Sequence, residues 1–141
     1  MIHKILSIFS QRPTSKNIKI LVIEDTQVDQ RLTVAAIEHD GYISLAANDG
    51  KTGLAMAKQH HPDLIILDYN LPDIKGPDVC KFLKEQADTK NIPVLFLTSM
   101  TDSEYVVNCY DHGQNYLEKP VSTKLLLKQI KAILSDEKPK D

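Results

Sequence analysis

Three nearly unbroken apolar runs, each ending in a polar or charged residue, constrain this chain more than any other feature. They cover residues 18–23, 64–67 and 94–97. A strand with one wet face alternates polar and apolar residues, and these do not. They read as strands covered on both faces, the condition of a parallel sheet with helices on each side. A weaker run at 43–47 and a short mixed one at 115–118 add two more strands, the last with the character of an edge.

Helical patterns fill the intervals. Val28, Leu32, Ala35 and Ala36 mark a first helix that stops before Asp40 and Gly41, where glycine can take the left-handed position. Leu54 and Ala57 mark a second, ended by Pro62. Val79 and Leu83 mark a third, opened by Pro77. Val106 with Cys109 or Tyr110 marks a fourth, with Asp102 or Ser103 as its cap. Leu126, Ile130 and Ile133 mark a fifth, capped by Ser122 or Thr123. Strand and helix alternate five times, and right-handed crossovers wind such a chain into an α/β, doubly wound, five-stranded parallel sheet ordered 2-1-3-4-5.

Ligands of such sheets bind beyond the carboxyl ends of the strands. There the sequence places Glu24 and Asp25 after strand one, Asp68 and Asn70 after strand three, Thr98 after strand four and Lys119 after strand five. Clustered carboxylates repel one another unless a cation neutralises them. A hard divalent ion with oxygen ligands suits that set, Mg²⁺ or Mn²⁺. A central aspartate can attack phosphorus as a nucleophile, while a hydroxyl and an ammonium screen the transferring group. The constellation predicts phosphoryl transfer to Asp68. The first loop, Glu24-Asp25-Thr26-Gln27, lacks glycine and is acidic, which excludes the G-x-G-x-x-G phosphate cradle of a dinucleotide site.

Composition narrows the class. At 141 residues, with 42% hydrophobic and 26% charged, the chain is the size of one ordinary globular domain. A net charge of −2 gives no reason to expect nucleic-acid binding. Cys80 and Cys109 lack ligand spacing and read as reduced, buried thiols. No run approaches the length of a membrane span and no secretory signal is evident, so a cytoplasmic location is expected. Residues 1–17 form a basic extension (Lys4, Arg12, Lys16) with an apolar face of Ile2, Ile5, Leu6 and Phe9. It can dock on the domain, pair with a partner or touch an anionic membrane, the last being the least favoured. Residues 18–134 form the domain proper, and 135–141 a charged tail.

The order of these motifs resembles the receiver domain of two-component response regulators, of the chemotaxis-type, stand-alone kind. The resemblance rests on Glu24-Asp25, the run from Asp63 to Asp68, Asn70-Leu71-Pro72 with Gly76, Thr98, and Lys119-Pro120, and spans nearly the whole chain. It implies a flavodoxin-like fold and an Asp68 phosphorylated by a sensor histidine kinase or a histidine phosphotransfer protein. It further implies Asp25 as direct metal ligand, Glu24 acting largely through water, and the backbone carbonyl of Asn70 completing the set. Thr98 and Tyr116 take the places of the switch hydroxyl and switch aromatic, Lys119 pairs with the phosphoryl group, and Lys119-Pro120 matches a cis peptide. The face of helix four, strand five and helix five would meet a downstream protein.

Three departures stand out: Glu24 for the commoner Asp, Leu71 for Met, and a segment from Gly113 to Tyr116 that is one residue short. The last bears on where Tyr116 sits. Asn70 and Met100 flank the path of a hydrolytic water, and an apolar Met100 predicts slow self-dephosphorylation. Two rivals remain. A phosphorylation-independent binding module would have lost an acid, the acceptor or the lysine. A haloacid-dehalogenase-like phosphatase needs an acid where Asn70 stands. His60 and His61 close a helix and do not share a face, so they read as solvated rather than metal-binding.

Overall fold

The computed structural model describes residues 17–99 and 115–136. Five parallel strands, β1 (Lys19–Ile23), β2 (Ile43–Ala47), β3 (Leu64–Asp68), β4 (Val94–Thr98) and β5 (Asn115–Glu118), form one sheet in the order β2-β1-β3-β4-β5. The described helices are α1 (Gln27–His39), α2 (Gly50–His60), α3 (Gly76–Lys84) and α4 (Thr123–Asp136). The last is the fifth helical pattern of the sequence. The fourth, with Cys109 and Met100, and the extension at 1–16 lie outside the described residues.

The continuous apolar runs are divided by the pleat. Ile20, Val22, Leu64, Ile66, Leu95 and Leu97 turn to one face and meet Ala36 and Ile37 of α1 and Leu126, Ile130 and Ile133 of α4. Leu21, Ile23, Ile65, Leu67, Val94 and Phe96 turn to the other and meet Ala57 of α2 and Val79, Cys80 and Leu83 of α3. Each such fully buried side chain stabilises the fold by about 1.5–3 kcal/mol over its exposed state. Both faces being covered is why these strands carry no polar alternation. β5 stands at an edge and is half-exposed.

Helix ends follow the local chemistry. α1 closes where Gly41 takes φ 94°, and α2 closes on His61 in the left-handed region at φ 48°. His60 is half-buried, and its carbonyl accepts a hydrogen bond from the Lys19 ammonium at 2.8 Å. The Asp49 carboxylate caps α2 by accepting from the Thr52 amide at 2.7 Å, and the Ser122 hydroxyl accepts from the Leu125 amide at 3.1 Å at the start of α4.

α1 differs from its sequence reading in one respect. Of the expected apolar stripe of Val28, Leu32, Ala35 and Ala36, only Ala36 packs. Thr33, Ala36 and Ile37 are buried, while Val28 and Leu32 are each 66% exposed. At about 100° per residue, the two stripes lie roughly a third of a turn apart. Polar contacts in the first turn select between them. The Gln30 side-chain amide donates to the backbone carbonyls of Glu24 at 2.9 Å and Ala47 at 3.1 Å, and Asp29 reaches Lys119. Those anchors rotate Val28 and Leu32 outward.

Candidate functional site

The strand ends converge as expected. β1 runs on for one residue, the Glu24 amide donating to the Ala47 carbonyl at 3.0 Å, and this draws Glu24 under the rim at 4% exposure. Asp25, the next residue, is exposed. Asp68 ends β3 opposite Leu97 and is 9% exposed. Carboxylate oxygens of Glu24, Asp25 and Asp68 all lie within 4.8 Å of one another. Every candidate ligand atom is a hard oxygen, the donor set that Mg²⁺ or Mn²⁺ prefers.

Lys119 enters from the far side of the sheet. Its amide donates to the Thr98 carbonyl at 2.7 Å, which fixes the start of the β5–α4 loop, and the Lys119-Pro120 bond is cis. The ammonium lies 2.5 Å from Glu24 Oε1, 3.2 Å from Asp29 Oδ2 and 3.7 Å from Asp68 Oδ2. Burial pushes the Glu24 carboxyl up to about 7; the Lys119 hydrogen bond pulls against that, and the charge of Asp68 adds to it. For Lys119, burial alone would lower the ammonium. The hydrogen bond to Glu24, the charges of Asp68 and Glu24, and the hydrogen bond to Asp29 outweigh that, and the net shift is upward.

Thr98 ends β4 at 1% exposure. By the pleat it shares a face with Phe96, whose partner across the ladder is Tyr116, whereas Asp68 shares the opposite face with Leu64 and Ile66. Thr98 and Tyr116 therefore stand on the same side of adjacent strands. Tyr116 is half-buried against the cluster that contains Phe96. Asn70 is exposed on the loop after Asp68, and its side-chain oxygen accepts from the Lys75 ammonium at 3.2 Å.

Gly76 controls how close the next helix comes to the acceptor strand. A Cβ at this position would lie 2.5 Å from the Asp68 carbonyl oxygen and 2.9 Å from Tyr69 Cα. The absence of that atom lets the Gly76 amide donate to the Tyr69 carbonyl at 2.7 Å. Beside the acids, a cleft of about 660 Å³ opens between α1 and α4. Its polar end is formed by Asp25, Asp29, Asp68 and Lys119, and its apolar wall by Leu32 and Leu126.

Two residues escape the sequence reading. Asp29 lies in the first turn of α1 and joins the Lys119 contacts; an acid in the first turn of the helix that follows Glu24-Asp25 is the signal that could have found it. Asp73 accepts from the amides of Gly50 at 2.8 Å, Lys51 at 2.9 Å and Ile74 at 2.8 Å, tying the loop after Asp68 to the start of α2. No local pattern in the sequence announces that contact.

A five-stranded 2-1-3-4-5 sheet with three acids, a threonine and a lysine at its carboxyl rim is an arrangement suited to phosphoryl transfer. The model of the response regulator receiver domain matches residues 20–131, and the chain belongs to that family. The polar-differentiation response regulator DivK of Brucella ovis is 31% identical over 118 residues, covering 83% of this chain and 96% of DivK. The chemotaxis response regulator CheY4 of Vibrio cholerae superposes with a TM-score of 0.78 at 29% identity, covering 83% of this chain and 98% of its own. A response regulator of Chloroflexus aurantiacus superposes with a TM-score of 0.80 at 28% identity, covering 85% and 99%. The resemblance drawn from the motifs, the flavodoxin-like fold and the role in phosphorelay signalling all stand. Among the described residues, no helix is long and apolar enough to cross a membrane.

Proposed function

We propose that Asp68 accepts a phosphoryl group and that the resulting acyl phosphate changes which protein this domain binds. The observation that carries the reading is the approach of Glu24, Asp25 and Asp68 within 4.8 Å beside the Lys119 ammonium. A carboxylate oxygen of Asp68 forms a bond to phosphorus as the bond to the donor breaks, and the electron pair leaves with the donor's nitrogen or oxygen. Lys119 lies where its charge meets the phosphoryl oxygens, and Thr98 is the hydroxyl that follows them.

Glu24, Asp25 and Asp68, with the Asn70 carbonyl, would hold Mg²⁺ or Mn²⁺. The ion supplies charge neutralisation between the acids and the incoming phosphoryl group. The natural donor is a histidine kinase or a histidine phosphotransfer protein in the cytoplasm. Leu32 on the cleft wall and Val28 one turn before it, each 66% exposed, give such a donor an apolar rim to cover. Tyr116, on the same side of the sheet as Thr98, carries the change toward the β5 and α4 surface, where a downstream protein reads it.

Intact mass after incubation with acetyl phosphate tests the reading. The expected result is a Mg²⁺-dependent gain of one phosphoryl group in the wild type and none in Asp68→Asn. No gain with either acetyl phosphate or a phosphorylated histidine donor would replace this reading with that of a phosphorylation-independent binding module.

A further inference from the structure

Lys119 is shared by carboxylates that do not have the same employment. Glu24 and Asp68 belong, with Asp25, to the group of acids whose oxygens lie within 4.8 Å of one another, and Asp29 is not in that group. Asp29 comes instead from the first turn of α1, on the wall of the cleft, with its side chain 42% exposed. It holds the ammonium at 3.2 Å, closer than Asp68 does at 3.7 Å. Glu24 and Asp68 would be drawn toward a divalent ion held by that group, whereas Asp29, outside it, would remain with the lysine.

We propose that Asp29 is a positioning residue that holds Lys119 on the α1 side of the cleft and, through its charge, selects against strongly anionic phosphoryl donors. The inference rests on Asp68 being the acceptor. A donor arriving through the cleft meets Asp29 before it meets Lys119, because Asp29 is the more exposed of the two at 42% against 18%. Each phosphoryl oxygen that recruits the ammonium must displace a carboxylate already bound to it. Removing that one charge lowers both barriers. A doubly charged small molecule feels the change more than a singly charged one, and interactions at this range are strengthened by the low-dielectric floor of the cleft.

An acid in the first turn of a helix also interacts favourably with the helix dipole. That role would alter stability alone and leave the preference between donors unchanged. The two are separable with acetyl phosphate, a dianion that loses acetate as the P–O bond breaks, and phosphoramidate, a monoanion whose protonated nitrogen leaves as ammonia when the P–N bond breaks.

Initial phosphorylation rates of the full chain at saturating Mg²⁺ and low ionic strength provide the test. Asp29→Asn is expected to react about threefold or more faster than the wild type with acetyl phosphate, and to gain less with phosphoramidate. The difference should shrink as salt is raised. Asp29→Glu, which keeps the charge, should restore the wild-type ratio of the two donors. An Asp29→Asn protein no faster than wild type with acetyl phosphate, or equally accelerated with both donors, overturns the inference alone. A wild type that takes no phosphoryl group from either donor removes the Asp68 reading and the inference with it.

Discussion

Two carboxylates at the starts of consecutive helices are pushed in opposite directions. Desolvation works against the charge on Asp73, but the backbone amides of Lys51, Gly50 and Ile74 outweigh it and hold the carboxyl below its usual range. Burial drives Glu24, just ahead of α1, up to about 7. The start of α2 is thus closed: Asp49 and Asp73 take its free amides. The start of α1 is left open. Thr26 caps it without a side-chain hydrogen bond, and its first turn spends its polar groups on Glu24 and Lys119. One helix end is structural and the other is chemical, and the difference lies in which atoms satisfy the first-turn amides.

The largest effect is expected from Asp73→Ala. It should lower the urea midpoint more than any single polar substitution in the first turn of α1. The sign follows from the depressed carboxyl: its stabilisation is present above the unfolded value of 3.8 and is lost as pH falls through the lower folded value. The gap between wild type and mutant should therefore close in acid. Equal midpoints at neutral pH would show that the three amide contacts contribute nothing.

A smaller effect is expected at the open end. Glu24 has a raised carboxyl, so the stabilisation from its protonated form is present below 4.5 and is lost as pH rises through about 7. A divalent ion needs the ionised form. Mg²⁺ affinity, measured by titration calorimetry, should rise about tenfold between about pH 6 and about pH 8. An affinity flat across that interval would remove Glu24 from the metal's surroundings.

The smallest effect is predicted at Leu32, which the spacing of α1 assigns to the packed face. Leu32→Ser should change stability by no more than about 0.5 kcal/mol, because the side chain is already 66% exposed. Acetyl phosphate labelling should be unchanged, whereas transfer from a protein donor should slow. A large loss of stability would restore Leu32 to the core.

The strand interiors and their order were legible because burial on both faces writes itself as unbroken apolar residues such as Leu64 to Leu67. Glu24, Asp25, Asp68, Thr98 and Lys119 were legible because topology delivers strand ends to one rim. The phase of α1 was not. Val28 and Leu32 carry the right spacing, but Gln30 and Asp29 decide the rotation through contacts with residues up to 90 positions away. Asp73 was hidden for the same reason: its partners are on another helix, and a lone aspartate in a loop has no periodicity to reveal it.

The missing Cβ at Gly76 has a further consequence. Any side chain there would run into the Asp68 carbonyl and Tyr69 Cα, so a larger residue has to push the start of α3 away from β3. The Gly76 amide, bonded to the Tyr69 carbonyl, ties the start of α3 to the residue that follows Asp68, so a substitution at Gly76 is felt at the site before it is felt in the core.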